Sequence, residues 1–257
     1  MIKKYFFFDI DGTLTDRKTN QIVPSAQMAL DQLQAKGYFV AIATGRAHYK
    51  AVPFMQQVGL RNMVCSGGGG LVVEQKLIQN KPLDLSKAKA VIQQAENLGY
   101  GVLVMRDDSI RVWSKNDLFR QQVGERQEAT DYIIDPQLDF QTLPVIYKIY
   151  VAIPAAAEMK LTLKATLGHL RFVPEYLMFQ YDDKYRGIVE MMQRLNAPLK
   201  DVVVFGDGLN DLVMFRSQWT SIALGNAASA VKTQADYVTA ANTDDGVYRA
   251  CQKFGWL

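Results

Sequence analysis

The sequence has few of the residues on which several common functions depend. Its two cysteines, Cys65 and Cys251, lie far apart and lack the spacing of a zinc site or a redox pair. Its two histidines, His48 and His169, are too few and too separated for a histidine-based metal site or a Ser-His-Asp arrangement. We therefore expect reduced, structural cysteines and acid–base chemistry that depends on carboxylates.

Long apolar runs and a concentrated charge are also missing. The first apolar stretch ends at Asp9, and no later stretch approaches the length of a membrane span or a signal sequence. The formal charge of +3 is mild, and the lysines are scattered instead of forming a stripe with interleaved aromatic residues. These features predict a cytoplasmic protein without a nucleic-acid or membrane partner. Its 257 residues, 49% of them hydrophobic, suffice for one large core or two smaller ones.

The most informative segment is residues 6–14, with the sequence FFFDIDGTL. Tyr5 to Phe8 are aromatic and uncharged, which predicts a buried strand of a parallel sheet. Asp9 and Asp11 follow at the carboxyl edge, where open α/β sheets bind ligands, and the alternation of a strand directs both to one side. Such close carboxylates need a proton or a hard divalent cation such as Mg²⁺. An Asp-Gly turn or a helix cap is the alternative, but it does not account for Asp9.

Two patterns of secondary structure divide the chain. Predicted helices alternate with short apolar strands, which indicates βαβ units and a parallel sheet. These helices are predicted at residues 25–36, 51–58, 187–195, 210–216 and 245–254. Pro53 suits the first turn of the second helix. Residues 82–182 instead indicate an inserted antiparallel α+β module, with helices near 86–98 and 155–167. The four glycines at positions 67–70 favour a flexible connection near the entry to this module over a phosphate-binding loop.

Two further segments place polar groups after predicted strands. Thr44 and Gly45 begin a helix, where a hydroxyl and backbone N–H groups can bind a phosphate oxygen, although Thr44 also suits a plain N-cap. Asp207, Asn210 and Asp211 direct two carboxylates and an amide to one point. A calcium loop or a turn is the alternative there, but the segment lacks the acidic ladder and terminal glutamate of an EF-hand.

Lys184 precedes the helix that follows the inserted module. A positive charge at this position can neutralise both a carboxylate nucleophile and a phosphoryl group in transfer. A solvated surface lysine is the ordinary alternative.

Taken in order, these motifs resemble those of the haloacid dehalogenase-like (HAD) phosphatases, and among them the Cof-type subfamily IIB. The resemblance is carried by residues 9–14 (DIDGTL), 44–46 (TGR), Lys184, 206–211 (GDGLND) and 245–247 (DGV). It implies an α/β fold with a Rossmann-like parallel-sheet core formed by residues 1–81 and 183–257. Residues 82–182 are then an α+β cap domain that sets substrate specificity.

The resemblance also implies roles for individual residues. Asp9 is the expected nucleophile that becomes an aspartyl-phosphate, and Asp11 is the expected general acid and then base. Mg²⁺ is expected to be held by the Asp9 side chain, the Asp11 backbone carbonyl and Asp207, with Asp211 in support. The groups expected to bind the phosphoryl oxygens are Thr44, Gly45, Lys184 and Asn210.

Two positions depart from the family pattern or leave it open. Related proteins often carry Asn-Gly-Ala where this chain has Ser66 and the glycines that follow, so a side-chain amide near the site is missing. The lysine motif can be aligned on Lys184, which we prefer, or on Arg186.

The sequence thus predicts a Mg²⁺-dependent phosphatase of small phosphorylated metabolites. Sugar phosphates are the first expectation, with phosphorylated cofactors such as pyridoxal phosphate or flavin mononucleotide next, for a monomer or homodimer. One alternative is a phosphomutase of hexose phosphates. The other is a non-catalytic ligand-binding protein, which the complete set of motif residues disfavours.

Overall fold

A computed structural model describes residues 3–257, and the chain divides into two compact units. One unit consists of Met1–Asn80 and Asp183–Leu257, and the other consists of Lys81–Asp182. The second unit is therefore an insertion in the sequence of the first. Within residues 3–257, no helix combines the length and hydrophobicity that crossing a membrane requires.

The elements follow one another along the chain as short strands and helices. In chain order, the strands are β1 (Tyr5–Phe8), β2 (Phe39–Ala43), β3 (Asn62–Cys65), β4 (Gly70–Val73), β5 (Lys76–Asn80), β6 (Val102–Met105), β7 (Arg111–Ser114), β8 (Asp131–Ile134), β9 (Lys148–Val151), β10 (His169–Val173), β11 (Tyr176–Phe179), β12 (Val202–Gly206), β13 (Thr220–Ala223) and β14 (Tyr237–Val238). The α-helices are α1 (Pro24–Ala35), α2 (His48–Gln57), α3 (Leu85–Asn97), α4 (Leu118–Val123), α5 (Lys184–Arg194), α6 (Ser229–Gln234) and α7 (Gly246–Lys253). Short 3₁₀ segments include Ser66–Gly68, Ala155–Lys160, Thr162–Thr166 and Leu209–Met214.

The first unit is built on an eight-stranded sheet in the order β14-β13-β12-β1-β2-β3-β4-β5. Its strands from β14 to β3 run parallel, and β1 lies between β12 and β2. The carboxyl ends of β1, β2 and β12 therefore meet at one edge of the sheet. This confirms the predicted α/β fold with a parallel-sheet core.

Both faces of this sheet are covered, which explains the uninterrupted aromatic run in β1. Phe6 and Phe8 lie in the core that contains buried residues of α1, α2 and α7. Phe7 lies on the opposite face, in the core that contains buried residues of α5 and α6. All three phenylalanines have 0% exposure. This is expected for a strand that is buried on both faces, because neither face then needs polar residues.

Several predicted elements differ from the structure in detail. Pro53 lies in the middle of α2, which begins already at His48, so its position in a first turn was wrong. The segments predicted as helices near 155–167 and 210–216 form 3₁₀ turns instead. The glycine run is not a flexible connection: Gly67–Gly70 are buried, and the chain continues into the antiparallel hairpin of β4 and β5.

The second unit contains a six-stranded sheet in the order β10-β11-β9-β6-β7-β8. Its pairings are antiparallel apart from that of β7 with β8, which is parallel and was not expected. One face packs against α3 through a core that includes Val91, Ile92 and Ile149. The unit thus has its own core of α+β type.

A buried glutamine offers a stability test within the second unit. Gln180 is 1% exposed, and neither atom of its side-chain amide has a hydrogen-bond partner among the described residues. Because an unpaired buried amide destabilises by about 1–3 kcal/mol, we expect Gln180→Met to raise the free energy of unfolding by about 1 kcal/mol. Urea unfolding measures this change.

Gln122→Met is the matched control. The side-chain amide of Gln122 accepts a hydrogen bond from the Gly101 nitrogen and donates one to the Gly99 carbonyl, at 2.8 Å each, so stability should fall. A loss of stability in Gln180→Met contradicts the expectation.

Candidate active site

Three buried carboxylates meet at the carboxyl edge of the large sheet. Asp9 directly follows β1, and its backbone nitrogen donates to the Phe205 carbonyl of β12 at 3.0 Å. Asp207 follows the end of β12, and Asp211 lies four residues later. One oxygen from each of Asp9, Asp207 and Asp211 lies within 4.8 Å of the others. The pairing of β1 with β12 therefore brings together acids that are about two hundred residues apart in sequence.

Lys184 completes this cluster. Its Nζ lies 2.7 Å from Asp9 Oδ1 and 2.6 Å from Asp211 Oδ1, and the residue has 0% exposure. Burial alone lowers the pKa of Lys184, but the charges of Asp211 and Asp9 outweigh it and raise that pKa. Arg186 is 64% exposed and pairs with Glu190, so the structure brings Lys184 and not Arg186 to the carboxylates.

Gly67 and Gly68, in the turn after β3, let the start of α5 pack closely against that turn. The Asp183 backbone nitrogen, just before α5, donates to the Gly67 carbonyl at 2.7 Å. Gly68 has a φ of +105°, and a Cβ there would overlap the Asp183 backbone. A larger residue at Gly68 would push the start of α5 away, and Lys184 with it.

Asp211 is fully engaged within the protein. Its Oδ2 accepts hydrogen bonds from the backbone nitrogens of Asp207 at 3.0 Å and Gly208 at 2.9 Å, while Oδ1 accepts from Lys184. These contacts fix the turn after β12 and the position of the lysine. Asp211 is thus suited to support a cation site and not to be its principal ligand.

Asp207 is held by side chains of two other loops. Its Oδ1 accepts from the Thr13 hydroxyl at 3.0 Å, and its Oδ2 accepts from Arg17 at 2.8 Å. The Asn226 amide donates to the Gly12 carbonyl at 2.8 Å and lies 3.4 Å from Asp207 Oδ2. Asn226 thereby ties the turn after β1 to the turn after β12.

The pKa values of the carboxylates show the cost of this burial. Burial first, and then the charge of Asp211, raise the pKa of Asp9 to about 7, although Lys184 acts in the opposite direction. Burial also raises the pKa of Asp207, against the hydrogen bond from Arg17. The raised pKa values of Asp9 and Asp207 beside a third buried carboxylate favour a bound cation, and an all-oxygen donor set fits a hard divalent ion. The residues present therefore fit a divalent metal.

The Asp11 carboxylate lies outside the three-acid cluster. It is 46% exposed and accepts hydrogen bonds from Arg46 Nε at 3.0 Å and Nη2 at 2.5 Å. Because β1 ends at Phe8, the strand alternation expected to direct Asp9 and Asp11 to one side does not continue through them. The Asp11 charge still contributes, as the smallest of five causes, to the raised pKa of Asp9.

The other predicted phosphate-binding residues are Thr44, Gly45 and Asn210. Thr44 is buried at the end of β2, and its Oγ1 accepts from the Arg46 backbone nitrogen at 3.1 Å. Neither Gly45 nor Asn210 hydrogen-bonds to the acidic cluster within residues 3–257. Their phosphate-binding roles remain predictions.

Sequence reasoning missed four side chains that organise this site: Thr13, Arg17, Arg46 and Asn226. Thr13 and Arg46 stand inside the motifs themselves, so their contacts with acids could have been suspected. Arg17 and Asn226 lie in loops where no pattern indicates which carboxylate a side chain will reach.

Comparisons with known proteins agree with the geometry. The family model described as haloacid dehalogenase-like hydrolase matches residues 6–251. The chain is 28% identical over 266 residues to YkrA of Bacillus subtilis (strain 168), with 100% of both chains covered. It is 25% identical over 265 residues to the pyridoxal phosphate phosphatase YbhA of Escherichia coli (strain K12), covering 96% of this chain and 97% of that protein. A solved structure of a HAD subclass IIB sugar phosphatase aligns with a TM-score of 0.79 and 25% identity, covering 99% of this chain and 100% of that chain.

The family match spans almost the whole chain, including both segments of the first unit and the insertion between them. The matched residues therefore include both the strands of the large sheet and the acids at its edge. The protein belongs to the haloacid dehalogenase-like hydrolases and is a Cof-type phosphatase, a hydrolase of phosphoric monoesters.

Proposed function

We propose that the protein is a Mg²⁺-dependent phosphatase that acts through an aspartyl-phosphate on Asp9. The observation that carries the proposal is the buried cluster of Asp9, Asp207 and Asp211 closed by Lys184. Asp9 Oδ1 is held by Lys184, and its Oδ2 has no hydrogen-bond partner among the described residues. That second oxygen is free to attack a phosphorus atom.

The proposed reaction has two displacements at phosphorus. In the first, an Asp9 oxygen forms a bond to phosphorus, the ester bond to the substrate oxygen breaks, and Asp11 gives that oxygen a proton. In the second, Asp11 accepts a proton from water as the water attacks phosphorus, and Asp9 leaves as a carboxylate. Arg46 holds the Asp11 side chain between these steps.

In this proposal, Lys184 and the metal both stabilise negative charge at the site. Mg²⁺ would be held by the side chains of Asp9 and Asp207 and by the Asp11 backbone carbonyl, with Asp211 in support. When bound, it neutralises charge on the phosphoryl oxygens and favours the ionised form of Asp9. Lys184 adds a fixed positive charge that needs no reorganisation during the reaction. Thr44, Gly45 and Asn210 remain the proposed contacts of the other phosphoryl oxygens.

The proposed substrates are small phosphorylated metabolites. Sugar phosphates come first and phosphorylated cofactors such as pyridoxal phosphate next, which is supported by the sugar phosphatase and the pyridoxal phosphate phosphatase among the similar proteins. Residues 82–182, the proposed cap domain, would select among them.

Phosphate release from a metabolite panel tests this function. We expect p-nitrophenyl phosphate and at least one sugar phosphate to be hydrolysed with Mg²⁺, and the rate to fall by at least about 100-fold in excess EDTA, because the clustered carboxylates need a cation. Isomerisation of a hexose phosphate primed by a bisphosphate, with negligible phosphate release, would instead identify a phosphomutase. Tight ligand binding without any turnover would identify a non-catalytic protein.

A further inference from the structure

Arg17 contacts the acidic cluster from its solvent side. Its Nη2 donates to Asp207 Oδ2 at 2.8 Å, although the Arg17 side chain is 62% exposed. Gly12 makes this contact possible: its φ is +92°, and a Cβ there would overlap both the Arg17 guanidinium and the Asp207 carboxylate. The backbone of the nucleophile loop is therefore shaped to admit the arginine.

The two oxygens of Asp207 have partners of different mobility. Oδ1 accepts from Thr13, which has 0% exposure and is fixed by the tight turn after β1. Oδ2 accepts from Arg17, a long side chain that water can solvate again at little cost. The Asn226 amide is farther from this oxygen, at 3.4 Å. Oδ2 is thus the oxygen of Asp207 that a cation can take over most easily.

We propose that Arg17 competes with the divalent cation for Asp207. It holds the carboxylate in place when no ion is bound, and it lowers the affinity of the site for Mg²⁺. A guanidinium and a metal ion are both positive, so when both contact one carboxylate oxygen they repel each other and each weakens the binding of the other. This inference rests on the proposed metal-dependent function, and it makes Arg17 a positioning residue and not a catalytic one.

Mg²⁺ titration of the Arg17→Gln protein tests the competition. Calorimetry on the full chain at fixed ionic strength gives the dissociation constant, and thermal unfolding gives melting temperatures with and without Mg²⁺. We expect Arg17→Gln to bind Mg²⁺ about 5–10-fold more tightly, since one charge-assisted hydrogen bond no longer has to be broken. We also expect its melting temperature to be lower without Mg²⁺ and its Mg²⁺-induced rise to be larger.

Lys18→Gln is the matched control. It removes the same charge from the next residue, which is exposed and does not contact Asp207. A change of less than about twofold in its Mg²⁺ affinity separates competition from long-range repulsion, which salt screens. An equal gain in both variants, or no gain in Arg17→Gln, overturns the inference while leaving the proposed function intact. Failure of every protein, including the wild type, to bind Mg²⁺ overturns both.

Discussion

Asp9→Asn is expected to lower kcat/KM for any phosphate ester by at least about 1000-fold. The variant loses the proposed oxygen nucleophile, and an amide cannot form the acyl phosphate on which the proposed two-step reaction depends. Its fold should be retained, because burial already raises the pKa of Asp9 to about 7 and a neutral side chain suits that environment. Steady-state kinetics and thermal unfolding measure the two effects separately.

Asp31→Asn provides the control for this substitution. Asp31 is an exposed aspartate of α1 that accepts a hydrogen bond from Gln27, so its replacement should leave kcat/KM within about twofold. Turnover of Asp9→Asn at a rate comparable to that of the wild type would remove Asp9 from the chemistry. It would leave the acidic cluster without its proposed function.

Lys184→Met is expected to have the largest effect on stability. The lysine has 0% exposure and contacts Asp9 and Asp211, so its loss leaves two buried carboxylates without their cation. Removing one partner of a buried ion pair costs about 3–5 kcal/mol. We expect the free energy of unfolding in EDTA to fall by about that amount, and kcat with Mg²⁺ to fall by at least about 100-fold.

The pH dependence identifies the cause of this loss. Without Lys184, the pKa of Asp9 in the folded protein is raised further above its unfolded value, because the lysine was the group that lowered it. The folded variant then binds a proton on Asp9 at higher pH than the folded wild type does, while the two unfolded chains bind protons alike at Asp9. The stability deficit of the variant relative to the wild type should therefore shrink as pH falls from about 8 to about 6.

Arg186→Met is the matched control for Lys184→Met. It removes a positive charge two residues along the same helix, from an exposed side chain paired with Glu190, and should change stability by less than about 0.5 kcal/mol. Equal losses in the two variants, independent of pH, would contradict the view that Lys184 neutralises buried acids.

The meeting of Asp9 and Asp207 at one sheet edge was accessible from sequence because it follows from topology, whereas a place for Lys184 beside them was implied only by the family resemblance. An uncharged aromatic strand can only be buried on both faces, and buried parallel strands end at a common edge. The charges that follow such strands, at Asp9 and Asp207, must then lie at that same edge, and the structure shows that their strands are neighbours. The alternating helices and strands of the first unit were predictable for the same reason.

Details that depend on short-range geometry could not be predicted. The start of α2 was predicted too late, at residue 51 instead of His48, because a helix start is weakly encoded when no side chain caps it. Pro53 therefore lies inside α2 and not in its first turn. The glycine run was predicted to be a flexible connection, and only the close approach of Asp183 to Gly68 shows why glycine is needed there. The contact of Arg17 with Asp207 depends on a loop conformation that no periodicity encodes.

The most direct test of the account is to trap and map the phosphorylated protein. The Asp11→Asn variant should react with p-nitrophenyl phosphate, whose leaving group needs little protonation, but lack the proposed base that activates water for the second step. Acid quenching followed by peptide mass spectrometry should then find one phosphoryl group on Asp9, formed with Mg²⁺ and not in EDTA. A phosphoryl group on any other residue, or stoichiometric release of p-nitrophenolate with no phosphorylated protein, would contradict the central claim that an Asp9 oxygen captures phosphorus.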